Sequence, residues 1–123
     1  MLVRYSAAIL TLAGILALVL GLLYWAGMAM QLMTMHMPLG FLTVAALWLI
    51  GFAQAAVKGG SWLIAAAAFI VGALTIIFGL FHAALMAGES HWVVQTLHLT
   101  LGILTIGLGH MAAARYRKVA AGK

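Results

Sequence analysis

Cysteine does not occur in this sequence, which excludes disulfides, thiolate-held metals and thiol nucleophiles together. Acid is almost as scarce, Glu89 being the only such residue. One carboxylate cannot form the pair that acid–base hydrolysis needs, and it lies outside the apolar stretches where a proton pump or ion-coupled carrier would place it. No nucleotide-binding loop and no nucleophile–base set is present either. Charge of either sign amounts to 6% of residues, whereas a soluble domain carries about a quarter. So few charges cannot clothe a water-facing surface, and the remaining surface must meet lipid or other protein.

What is there in abundance is apolar. Of the 123 residues, 67% are hydrophobic. They fall into four stretches, approximately Ala7–Gly27, Gln31–Val57, Trp62–Ala87 and Trp92–Ala114. Each is long enough to cross a hydrocarbon core, which takes roughly 20 helical residues. The first apolar run exceeds the usual core of a signal peptide, so it reads as a retained helix. The links are short, so neighbouring helices are expected to form antiparallel hairpins. The sequence therefore predicts an all-α membrane protein, a single four-helix transmembrane domain over residues 1–123.

The basic residues give the expected orientation. Arg4 precedes the first stretch, Lys58 lies between the second and third, and Arg115, Arg117, Lys118 and Lys123 follow the fourth. Four spans place them all on one face, which the positive-inside rule assigns to the cytoplasm of an inner membrane, with both termini there. They flank spans rather than forming a patch, so the net charge of +5 is a topology signal and not a nucleic-acid surface. Trp25, Trp62 and Trp92 near span ends suit interfacial positions.

The chain also reads as a duplication. Thr34–Val44 and Thr96–Ile106 share six identities in eleven positions, including the His, Gly and final Thr of each. The preceding stretches match as well, Gly14, Leu16, Gly21 and Leu22 against Gly72, Leu74, Gly79 and Leu80. Two hairpins, residues 7–57 and 65–115, are expected to be related by a pseudo-twofold axis along the membrane normal. Small residues at every fourth position, Ala13, Ala17 and Gly21 and again Gly79, Ala83 and Ala87, are expected to allow close helix packing.

Five histidines beside one carboxylate is an unusual ratio. His91 falls in a loop beside Glu89 and reads as solvated, and His110 lies near the cytoplasmic interface. His36, His82 and His98 are expected at a similar depth in the outer half of the bilayer. Imidazole in hydrocarbon is costly unless its nitrogens find partners, so intramembrane histidine points to function. Three at one level suggest a shared ligand, and haem fits best. Gly40 and Gly102, one turn below His36 and His98, leave room for a flat macrocycle, and Thr43 and Thr105 continue those faces. The ligand pair is either His36 with His98, by symmetry, or His82 with His98, by depth. Pro38 favours a first turn and leaves open whether His36 precedes the regular helix. The positive ends of the second and fourth helices would face haem propionates. Two readings stand beside haem: histidines that only hydrogen-bond their neighbours, and a copper site using Met28, Met30, Met33, Met35 and Met37. The second hairpin has no such methionine run.

Four short helices with inward histidines, in a His-x-x-Leu-Gly pattern at His36 and His98, resemble small membrane b-type cytochromes of the cytochrome b561-like kind. That resemblance implies haem b and electron transfer involving quinone. A non-catalytic accessory or assembly subunit of a larger respiratory or photosynthetic complex, packing against other membrane subunits or its own copies, is the competing expectation.

Overall fold

A computed structural model describes residues 1–122. Lys123, counted above among the orienting basic residues, lies outside the described residues. The described residues form four helices, α1 (Leu2–Trp25), α2 (Met33–Ala56), α3 (Trp62–Leu80) and α4 (His91–Ala120), with a 3₁₀ turn at Met30–Leu32 leading into α2. All four are long and apolar enough to cross a membrane. Leu12, Leu63, Ile70 and Ile103 face outward on them, as lipid-facing side chains do.

The helices form a bundle in which α2 and α4 meet across the middle and α1 and α3 each pack against both. Burial is concentrated in one half, with Val94 near the start of α4 as an exception. Val3 and Leu10 of α1, Leu47 and Ile50 of α2, Ala68 of α3 and Ala112 and Ala113 of α4 make one core. These residues lie toward the end that carries Arg4, Lys58, Arg115, Arg117 and Lys118. Glycine makes the approach possible: a Cβ built on Gly109 would stand 2.5 Å from Leu10 Cδ2, and one on Gly51 would stand 2.8 Å from the Ala68 methyl. Close backbone approach of this kind takes the place of a hydrophobic driving force between helices in lipid.

Each connection has its own chemistry. After α1 the amide of Gly27 donates to Tyr24 and that of Met28 to Leu23, with Gly27 in the left-handed region at φ 72°. That is a Schellman closure, and it needs the glycine. Between α2 and α3 the fully buried Gln54 grips the turn, its Nε2 donating to the Ser61 carbonyl at 2.6 Å and its Oε1 accepting from the Ser61 amide at 3.3 Å. Ser61 then caps α3, its hydroxyl oxygen accepting from the Ile64 amide.

One expected boundary is corrected, and one question left open by Pro38 is answered. The third span was expected to reach Ala87, but α3 stops at Leu80 and Phe81–Met86 form turns, with Met86 in the left-handed region at φ 46°. Nineteen residues already cover about 28 Å at 1.5 Å each, close to the thickness of the hydrocarbon. The small-residue stripe on that helix consequently ends at Gly79, with Ala83 and Ala87 exposed beyond it. In α2 the helix begins before Pro38, not at it, so His36 belongs to its first turn.

Candidate cofactor-binding site

Opposite the packed half, the bundle opens. A cavity of about 480 Å³ lies between α1, α2, α3 and α4. It reaches from Tyr24, Met33 and Gln95 at its mouth down to Gly14, Thr43 and Thr105 at mid-bundle. Most of its wall is apolar. The exceptions include three imidazoles.

His36 on α2 and His98 on α4 face each other with ring centres 6.1 Å apart and planes 67° apart. Each is backed by a glycine of the preceding helix. A Cβ on Gly21 would come 3.3 Å from His36 Cε1, and one on Gly79 would come 3.1 Å from His98 Cε1. These are corresponding positions in the two hairpins. The Nδ1 of both rings is buried without a hydrogen-bond partner. With Nδ1 enclosed, the Nε2 edge is what each ring leaves open to the cavity. Gly40 and Gly102, one turn along, meet nothing within 4 Å of where a Cβ would stand, and both line the cavity.

His82 is the third imidazole, but it does not share the geometry of the other two. It lies in the turn after α3, not on the helix, with its ring centre 6.0 Å from His98 and 4.6 Å from His91. His91, read from sequence as a solvated loop residue, is the first residue of α4, and its Nδ1 is 3.3 Å from the Leu85 carbonyl. In the first hairpin Tyr24 takes the place of His82. Its ring stands edge-on to His36 at 5.7 Å and its hydroxyl is buried without a partner.

Among the described residues no group of three or more His, Asp or Glu is placed to hold a metal ion. The imidazoles form a row running His36, His98, His82, His91, in which His98 neighbours both His36 and His82. The methionine run disperses too. Met30, Met33 and Met37 line the cavity, whereas Met28 and Met35 do not. His110 sits apart at the basic end, where its Nε2 is 3.1 Å from the Thr11 hydroxyl.

Sequence reasoning missed the ring-backing role of Gly21 and Gly79, which looked like general packing positions, and the part played by Tyr24 and Gln95. The available signal was that both glycines and both histidines recur in the two hairpins. No known protein family matches the chain, and comparison with curated proteins and with solved structures found no match.

Proposed function

We propose that this chain is a small electron carrier of the membrane b-type cytochrome kind, holding one haem b between His36 and His98. The observation that carries this reading is the pair of imidazoles facing each other across the cavity with no partner for either Nδ1. Two imidazoles on opposite sides of one iron have ring centres roughly 6 Å apart, because a metal–imidazole bond is about 2 Å. The 6.1 Å separation fits that requirement. Gly40 and Gly102 leave the faces beside the rings free, and the cavity volume lies within the range of cofactor sites.

His82 stands as close to His98 as His36 does, yet it is the weaker candidate. It is carried by a turn, it packs edge-on against His91, and no glycine backs its ring. His36 and His98 are both fixed on helices by matched contacts, which is what an axial ligand needs.

A bound haem supplies one-electron chemistry at its iron. The protein's part is to hold the two imidazoles in place, to keep water from the inner half of the cavity through the apolar wall, and to open the site at Tyr24 and Gln95 toward one membrane surface. In this reading the positive-inside rule puts the basic end in the cytoplasm of an inner membrane and the site in the outer half. An electron donor dissolved in the bilayer, such as a quinol, suits a site with this exposure.

The test is a reduced-minus-oxidised absorption spectrum of the full chain purified from cells supplied with haem. A b-type signal should appear, vanish in His98→Ala and His36→Ala, and persist in His82→Ala. A colourless but folded wild-type protein would sink the proposal and favour an accessory subunit.

A further inference from the structure

At the opposite end of the bundle a second cavity, of about 270 Å³, opens where α1 begins and α4 ends. Arg4 and Ala7 from α1 and Tyr116 and Arg117 from α4 line it. Two arginines from different helices thus line one recess. Among the described residues the only carboxylate is Glu89, which lies in the loop at the other end of the molecule, so neither arginine has an acidic partner. Arg115 differs, since its guanidinium is engaged, donating to the Gly59 carbonyl at 3.0 Å.

Inward of the recess α1 and α4 stay in contact. Thr11 lies seven residues beyond Arg4, and His110 seven before Arg117, which keeps each pair on one helix face two turns apart, or about 10 Å. These two inner residues meet between the helices. Thr11 donates its hydroxyl proton to the Ala7 carbonyl at 2.8 Å, so the 3.1 Å contact with His110 must use an Nε2–H donated to the Thr11 oxygen. The His110 ring stays exposed. Beside this polar line stand outward-facing Leu12 and Met111. Cations at the recess, a Thr–His pair about two turns inward, and exposed Leu12 next to it follow the order of phosphate, glycerol and acyl chain in a phospholipid.

We infer that this recess is a binding site for the headgroup of an anionic phospholipid, with Arg4 and Arg117 gripping the phosphate. Paired arginines suit a phosphate better than lysines, because each presents a planar fork of donors. A lipid also answers the charge imbalance of this end, where the described basic residues have no acid to neutralise them. The site is independent of the haem reading.

Binding of phosphatidylglycerol to the full chain in neutral detergent tests it, with phosphatidylcholine of the same chain length and inorganic phosphate as the other two probes. Phosphatidylglycerol should bind at one site per chain. Arg4→Gln or Arg117→Gln should weaken it about fivefold each, which corresponds to about 1 kcal/mol per basic residue at a lipid surface. Arg4→Lys, which keeps the charge but loses the fork, should weaken binding less than Arg4→Gln without restoring it, and Arg115→Gln should leave it unchanged. Equal weakening by Arg115→Gln would show a general charge effect and overturn the proposal. So would equal binding of phosphatidylcholine, or competition by inorganic phosphate at the same concentrations, which would mean a free-phosphate site. The absorption spectrum of the protein should be the same in all these variants.

Discussion

Gly79 of α3 lies against the ring of His98 on α4, so close that a Cβ at position 79 would stand 3.1 Å from His98 Cε1. Gly21 has the same relation to His36, at 3.3 Å. One hairpin therefore positions its histidine just as the other does, through the absence of a side chain on the helix before it. The Nδ1 of each ring lacks a hydrogen-bond partner, so this steric contact is a main constraint on its tilt.

Gly79→Ala should consequently change the site without changing the fold. A methyl at 3.1 Å requires the ring to move by a few tenths of an ångström, and the cavity gives it room to do so. Alanine also stabilises a helix interior over glycine by about 1 kcal/mol, which offsets the crowding. The expected result is a thermal midpoint within a few degrees of wild type and a weakened or shifted b-type band. Gly79→Val, with a larger group, should abolish the band. An unaltered spectrum in both would show that His98 is not an iron ligand.

Gly107 and Gly109 sit two residues apart on α4 and should respond in opposite directions to the same change. A Cβ at Gly107 meets nothing within 4 Å, whereas one at Gly109 would stand 2.5 Å from the Cδ2 of the fully buried Leu10. Gly107→Ala should be neutral or add up to about 1 kcal/mol. Gly109→Ala should cost about 1–3 kcal/mol, the usual penalty of overpacking. Unfolding in mixed micelles with a graded denaturing detergent measures both.

Gln54 should matter more than its place in an apolar helix suggests. Its side chain is fully buried and satisfies both the amide and the carbonyl of Ser61. Gln54→Leu would leave that turn without either partner. The expected cost is about 1–3 kcal/mol, the penalty for stranding buried polar groups. A Gln54→Leu protein as stable as wild type would mean that water replaces the amide there.

Much of this architecture is legible in the chain because lipid leaves little choice. Long apolar runs separated by short links dictate spanning helices, and the His, Gly and Thr shared by Thr34–Val44 and Thr96–Ile106 mark the faces that meet in the bundle. The depth of His36 and His98 was legible for the same reason. The end of α3 was not. Phe81–Met86 is apolar apart from His82 and carries no proline or glycine, so little there announces that the helix stops at Leu80. What ends it is the distance already crossed and the need to turn back into α4 at His91. That turn brings His82 to His91, a contact invisible to helical periodicity. Gln54 was illegible too, since its partners lie on the far side of a turn whose shape the sequence does not spell out.

Thr105 and Thr43 occupy corresponding positions on α4 and α2, and the structure makes them unequal. Each hydroxyl donates to the carbonyl four residues earlier, Thr105 to Leu101 and Thr43 to Leu39. Only Thr105 also meets a hydroxyl on another helix, Thr75 Oγ1 at 3.0 Å. Thr75 itself donates to Val71, so two hydroxyl protons serve three contacts and one contact is always short of a proton. The interhelical bond is therefore weaker than a fully satisfied one, and measured interhelical hydrogen bonds in membranes already average only about 0.6 kcal/mol. Thr105→Val should cost about 0.5–1 kcal/mol and Thr43→Val less than half of that. The double variant Thr75→Val/Thr105→Val should cost less than the sum of its two single variants, because the shared contact is lost only once. Strict additivity of the two costs would mean that the hydroxyls do not interact across the α3–α4 interface.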